Sequence, residues 1–506
     1  MKQSRSINSA KNIAWGYVNI VIGLLLSFIN RTVFINILGV EYLGINGLFS
    51  NILQMLTLAD LGFSTAMAYS YYEPIAENNI DKISTLNRFY KKIYRYVAVG
   101  IAAIGLALTP FLEQIINLEQ PIEHLHVYYL MTLAGTVSSY LMIYKSTLIN
   151  AYQKNYIVSK YNSMVKLIVT AAQVIFLILT RNFIVYLAIV ICGNLLNNLR
   201  VSIAADKLFP FIKQNKKGAL LKKDKKDIFA NIKSMFIYKT SSVLINSTDN
   251  ILISSIVGTI FVGYYSNYCM VINNLMTFIN ITFTSLTASI GNVVVSESYE
   301  KKYSLFRTVQ MASFWFSTVV VSCTYVLIDP FISTWLGKDF LLDSWTVAAI
   351  LLNLYLMCIL QPIWIYREAT GMYQKTKYIM FVTAILNLVL SIWWGIYLGL
   401  SGILFASAVA KLLTYFWYEP ILLFKDFFNA KPIRFFMNIT INFVSVVVII
   451  FILQKLIELI TVKGWIGFFI DAIICFAGAN ILFAVCWTYN KDFKNLISRI
   501  KHLIYK

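Results

Sequence analysis

Along this chain, runs of about 20 mainly apolar residues recur from end to end, each long enough to cross a ~30 Å hydrocarbon core. The cores of three of them are Val97–Leu112, Val347–Pro362 and Phe443–Leu453. This one feature removes most of fold space. Within lipid every backbone N–H and C=O must be satisfied internally, and runs this long and uninterrupted do so as helices. Composition agrees, with 58% apolar and 13% charged residues, against roughly 25% charged in a soluble domain. The pattern predicts an all-α integral membrane protein of about 14 transmembrane helices. Their approximate ranges are 12–38, 41–71, 93–114, 127–148, 159–180, 183–206, 231–257, 259–295, 308–328, 343–365, 377–398, 401–422, 435–457 and 464–488. The first run reaches Leu38 with no small-residue cleavage site after it. That is too long for the apolar region of a signal peptide, so it is read as a retained span.

The net charge of +20 would suggest nucleic acid in a soluble protein. In a polytopic chain it is first a topology signal. With the N-terminus placed inside, 35 of the 43 Lys and Arg residues fall on cytoplasmic segments and their flanks, four fall outside and four lie within spans. The four outside are Arg181, Lys338, Lys455 and Lys463. Dropping one span would scramble this bias, so both termini are expected in the cytoplasm. The basic stretch holding Lys213, Lys216, Lys217, Lys222, Lys223, Lys225 and Lys226 is read as a topogenic linker. Contact with anionic lipid or acidic partners is its alternative reading. The tail Lys491–Lys506 spaces Phe493, Leu496, Ile497, Ile500 and Leu503 among basic residues, as an interfacial amphipathic helix does. Six cysteines lie inside apolar runs without a C-x-x-C, and His124 and His126 share an acidic loop. Neither pattern suggests disulfides or a metal site.

A shift of 219 residues lays spans one and two on spans seven and eight without a gap. Asn12-Ile13 then falls on Asn231-Ile232, Gly39 on Gly258, Gly44 on Gly263, Thr65 on Thr284 and Ser70 on Ser289. Tyr152-Gln153-Lys154 recurs as Tyr373-Gln374-Lys375 at a shift of 221. Both matches move span n to span n+6, and six is even, so the halves share one orientation, as in parallel-repeat transporters. The expected domains are a six-helix bundle at 1–207, a basic linker at 208–230, a second bundle at 231–424, two added spans at 425–490 and a tail at 491–506.

Charges inside hydrocarbon cost at least ~2.5–3.5 kcal/mol each at a helix centre and so face a cavity or a partner. Arg31 lies seven residues before Leu38, ~10 Å below the external boundary. Snorkelling would relieve it, but a guanidinium also suits a phosphate fork. Ser27 and Arg31 share a helix face, and their repeat equivalents are Asn246 and Asn250, on a face that continues through Ser242 to Lys239. Lys166 sits near the middle of span five, opposite Asn387 in the repeat, and Lys411 near the middle of span twelve. Arg31, Lys166, Lys239, Asn246 and Asn250 are thus candidates for substrate binding, and Asp249 and Asp60 for ion coupling; Asp60 is as well placed to be interfacial. Asp471 is expected to be structural. No phosphate-binding or dinucleotide motif occurs, so transport is expected to be passive or coupled to Na+ or H+, without a cofactor.

Several segments carry a resemblance. Ala10-Lys11-Asn12 leading into an apolar span, then Leu38-Gly39-Val40-Glu41-Tyr42-Leu43-Gly44 and Leu58-Ala59-Asp60-Leu61-Gly62, resemble the start of bacterial polysaccharide-biosynthesis flippases of the Wzx-like kind. Asp249-Asn250-Ile251-Leu252 and Gly263-Tyr264-Tyr265-Ser266-Asn267-Tyr268 resemble their second-half signature. The resemblance implies the MATE-like fold of the MOP superfamily: two six-helix bundles in a V, here followed by two extra helices. It implies flipping of undecaprenyl-diphosphate-linked oligosaccharide across the bacterial plasma membrane, with a cationic cavity for the headgroup and the lipid tail left in the bilayer. Polysaccharide polymerases and glycosyltransferases are its expected partners, with no role for nucleic acid. No family motif fixes Arg31, Lys166 or Lys239 individually. The cluster of several arginines in the early spans of lipid II flippases is not evident, which favours a glycan other than the wall precursor.

Two other functions compete. A multidrug or cation antiporter of the same fold would bind cations, yet intramembrane cations here outnumber deeply placed acids. A membrane polymerase or ligase would carry a large external catalytic loop, and the longest external segments, near 112–126 and 329–342, are too short for one.

Overall fold

The computed structural model describes residues 2–57, 67, 70–71, 74–75, 77–116, 122–152, 154–213, 220, 248–284, 286, 290, 298–370, 372–459, 462 and 464–504. It is all-helical. Two compact units emerge, Met1–Gly263 and Tyr264–Lys506.

The first unit contains α1 (Lys2–Leu38), α2 (Val40–Leu56), α3 (Ile80–Leu108), α4 (Leu125–Tyr140), α5 (Ile143–Ala151), α6 (Asn155–Thr180) and α7 (Phe183–Leu208). After the short helix Thr248–Val257 comes α8 (Thr259–Thr284), within which the boundary between the units falls. The second unit continues with α9 (Tyr299–Trp335), α10 (Ser344–Ile359), α11 (Gln361–Thr370), α12 (Tyr373–Leu413), α13 (Tyr415–Leu423), α14 (Ile433–Glu458), α15 (Gly464–Trp487) and α16 (Lys491–Ile504). Among the described residues, eight helices are long and apolar enough to cross a membrane, or nine if the pair α10–α11, bent by 43°, counts as one span.

Side-chain bonds reveal how the helices run. Lys166 reaches Gly23 and Gln173 meets Asn30, a constant offset that only parallel helices give. Asn194 and Asn198 of α7 reach Gly135 and Ser138 of α4 in the same way. Gln310 and Ser317 of α9 likewise meet Phe435 and Asn442 of α14. Each parallel pair joins two odd or two even spans of the sequence-based order, as alternating crossings require.

Spans eleven and twelve form one hairpin. Thr383 bonds Thr414, Asn387 bonds Ser407 and Ser391 bonds the Ile403 carbonyl, so the pairing runs inward from both legs. The turn is at Gly399, whose φ of 62° and ψ of −139° break the helical path inside α12. Spans four and ten are each broken. The first interruption lies at Leu141–Met142 between α4 and α5, and the second at Leu360 between α10 and α11. Shifting Leu141 by the repeat interval gives Leu360.

The repeat glycines behave alike as well. Gly39 and Gly258 precede α2 and α8 with φ of 90° and 138°, a region that favours glycine. Inside the first unit, Gly44 and Gly263 meet. A Cβ on Gly44 would collide with the Thr259 carbonyl oxygen, and one on Gly263 would lie 2.5 Å from the Val40 carbonyl oxygen. Small residues allow such close backbone approach in membranes.

The two added spans are pinned by amides. Asn442 of α14 accepts from Ser317 and Tyr355 at 3.1 Å each and donates to Thr318 at 3.0 Å. Trp315 donates to Asn480 of α15 at 2.8 Å. The tail helix α16 adds an anchor to protein: Asp492 pairs with Arg307 at 3.5 Å, and the Phe493 ring meets Phe483.

Candidate functional site

On α1, Gly23, Ser27, Asn30 and Arg31 stand at i, i+4, i+7 and i+8, which places them on one face. The Gly23 carbonyl accepts from Ser27 Oγ at 2.6 Å and from Lys166 Nζ at 3.4 Å. A Cβ on Gly23 would lie 2.9 Å from that ammonium, so glycine leaves the room in which the lysine tip reaches the α1 backbone. Lys166 has no carboxylate partner among the described residues. One turn beyond Ser27, Asn30 Nδ2 donates to Gln173 Oε1 at 3.3 Å and to the Tyr186 hydroxyl at 2.9 Å. Arg31 lies within electrostatic reach of that hydroxyl. Above this polar stretch, Phe34 packs edge-on against Phe183 and Tyr186, which closes the seam with aromatic surface. The result is a polar seam between α1 and α6, carrying two cations and capped by rings from α7.

Asn30 Oδ1 is buried without a hydrogen-bond partner. So is Asn250 Oδ1, the repeat equivalent of the Arg31 position. Unmet acceptors of this kind cost on the order of 1–3 kcal/mol in a sealed interior, and they are found where a site awaits a ligand or water. Asn250 and Asp249 sit on the short helix ahead of α8, with Asp249 9% exposed. Of the residues selected from sequence, Arg31 and Lys166 therefore share the seam, while Asn250 and Asp249 lie on a different element. Lys239, Asn246 and Asp60 fall outside the described residues.

The fourth intramembrane cation is used differently. Lys411 is buried, and its ammonium donates to Asn353 Oδ1 at 2.8 Å. Asn387, the repeat counterpart of Lys166, is committed to Ser391 and Ser407 within the α12 hairpin.

The sequence reading named none of the ion pairs, and two of them join spans. Lys145 at the α5 end of span four bonds Asp206 on α7 at 2.7 Å, and Arg367 on α11 bonds Glu419 on α13 at 2.6 Å. Each ties the end of span four or ten to the end of span six or twelve. A signal was available: Glu419 is the sole acid between Ser401 and Ile421, too deep in an apolar run to stand without a cation.

No sequence-family model matches this chain, and no curated protein matches it. Solved structures do. The lipid II flippase MurJ in an inward closed conformation superposes with a TM-score of 0.67 at 16% identity, over 94% of this chain and 98% of the other. A mutant of the Vibrio cholerae MATE transporter VcmN gives 0.57 at 14% identity, over 85% and 100%. A MOP-superfamily transporter from Pyrococcus furiosus gives 0.54 at 13% identity, over 82% and 96%. At such identities the likeness is one of fold.

Proposed function

From a chain with the MATE-like fold of MOP-superfamily membrane transporters, we propose a flippase that moves undecaprenyl-diphosphate-linked oligosaccharide across the bacterial plasma membrane by alternating access. The observation that carries this reading is Lys166. Its ammonium lies within a span and rests on the neutral Gly23 carbonyl, with no carboxylate partner among the described residues. Lys166 is exposed, not sealed in the protein, and an accessible cation at membrane depth favours an anionic guest. Arg31 on the same seam adds a guanidinium suited to phosphate oxygens. Lys239, Asn246 and Asn250 extend the proposed headgroup site, with Asp249 and Asp60 as proposed ion-coupling residues. In this reading both termini are cytoplasmic, and a polysaccharide polymerase and glycosyltransferases act on either side of the transport step. The likeness to a lipid II flippase supports a lipid-linked cargo.

The test uses the full chain in proteoliposomes loaded with a fluorescent short-chain polyprenyl-diphosphate sugar. Loss of signal to an external quencher reports flipping. Arg31→Ala and Lys166→Ala are expected to slow it at least tenfold, about 1.4 kcal/mol of lost interaction. Wild-type rates in both variants would overturn the cationic site. Buried Asp249 supports a second reading, cation antiport in the same fold; it would show instead as efflux of a cationic dye that Asp249→Asn abolishes.

A further inference from the structure

Next to the seam, wholly within the first unit, α2, α4 and α7 line an open cavity of about 450 Å³, inside the ~300–1,000 Å³ range of small-molecule sites. Three helices each turn a polar stripe toward it. Asn46, Ser50 and Gln54 come from α2 at i, i+4 and i+8; Thr132, Thr136 and Ser139 come from α4; Tyr186 and Asn194 come from α7. None of the lining residues carries a charge.

The hydrogen-bond state of this lining defines what would fit. Ser50, Thr132, Thr136 and Ser139 each donate their proton to a carbonyl of their own helix at 2.7–3.0 Å, which leaves the hydroxyl oxygens as acceptors. Asn194 donates one Nδ2 proton to the Gly135 carbonyl at 3.1 Å and keeps its Oδ1 and second proton. The side-chain amides of Asn46 and Gln54 have no hydrogen-bond partner among the described residues. A bare anion finds no cation here, and a divalent cation finds no carboxylate. A wholly apolar guest would displace water from these acceptors and amides without replacing its hydrogen bonds. A neutral polyhydroxyl guest matches, since each of its hydroxyls both donates and accepts.

We infer that this cavity is a saccharide subsite. Its wall shares Tyr186 with the seam, where the same hydroxyl accepts from Asn30 beside Arg31. A diphosphate held at Arg31 and Lys166 therefore places its attached sugar at the cavity mouth; this continuity, though not the cavity's own chemistry, rests on the proposed flippase reading.

Two probes separate the claims, with the full chain in lipid nanodiscs: geranyl glucoside, a sugar without phosphate, and geranyl diphosphate, a phosphate without sugar. Gln54→Leu and the near-isosteric Thr136→Val should each weaken glucoside binding roughly tenfold, the effect of one lost hydrogen bond with its partner left unmet. Both should leave diphosphate binding within about twofold, and Arg31→Ala should do the reverse. Thermal unfolding of Thr136→Val at the wild-type temperature excludes a folding defect. Glucoside binding that is undetectable in the wild type, or indifferent to both cavity variants, overturns the saccharide subsite. Diphosphate binding indifferent to Arg31→Ala overturns the cationic site instead and leaves the cavity assignment standing.

Discussion

The two units treat the same chemistry in opposite ways. In the first, Arg31 and Lys166 lie on a polar seam beside an uncharged cavity. In the second, Lys411 is sealed against Asn353, and Arg367 is locked to Glu419 with side chains only 8% and 1% exposed. The face of α8 that corresponds to the cavity lining of α2 is partly filled: Met276, which stands where Thr57 stands in the first half, is buried beside the Cys358 thiol. The two units thus each tie span ends together with an ion pair, at positions the repeat does not relate, and differ in their interiors. The first unit holds room for a guest. In the second, Lys411 and Arg367 are engaged with Asn353 and Glu419.

This contrast can be broken most forcefully at Glu419. Glu419→Leu removes the carboxylate from a buried guanidinium and should cost about 3–5 kcal/mol in reversible unfolding. Arg367→Met together with Glu419→Leu should recover most of that loss, because an apolar pair of similar volume replaces the buried ions. A double variant as weak as the single one would mean that the pair is not the source of the stability.

The Lys145–Asp206 pair in the first unit is more open, with side chains 12% and 19% exposed. Lys145→Met should therefore cost less, about 1–2 kcal/mol after solvent screening, read from the same unfolding curves. Equal costs for the two clamps would erase the distinction. The third measurement compares Lys166 with Lys411. Lys166→Met should slow flipping about tenfold, or 1.4 kcal/mol, with little change in unfolding temperature. Lys411→Met should do the opposite, losing at least about 1 kcal/mol of stability with its hydrogen bond to Asn353 while transport stays near wild type. Matching transport defects would show that Lys411 also meets the substrate.

Much of this architecture was legible in the sequence, for physical reasons. Lipid demands long apolar helices, so spans such as Asn155–Thr180 and Ile433–Glu458 announce themselves. Parity follows from counting them, and the parallel pairing of α1 with α6 agrees with it. Gly39 and Gly44 stood out because they fall on Gly258 and Gly263 at both ends of the external turn, and each serves a backbone need that only a missing Cβ meets. The breaks at Leu141–Met142 and Leu360 were not legible. Proline follows the second, at Pro362, but the first has none, and a helix interruption without proline leaves little trace in hydropathy. The clamps were hidden for another reason. Lys145 and Arg367 were counted by position, as topology signals, and position carries no information about a partner some 50–60 residues away. The cavity escaped because Asn46, Ser50 and Gln54 are ordinary in isolation; only the convergence of three helices makes them a lining.

The meeting of Gly44 with Gly263 carries one more implication. Val40 sits against Gly263 as Thr259 sits against Gly44, and both pairs are related by the repeat interval. Residue i touches the image of j while j touches the image of i, which is the signature of an isologous contact between identical subunits. A half-length ancestor assembling with its own copy would have needed just one glycine, used twice. In the fused chain that economy is gone. Two codons must now be kept small independently, and a mutation at either one meets a neighbour that no longer changes with it.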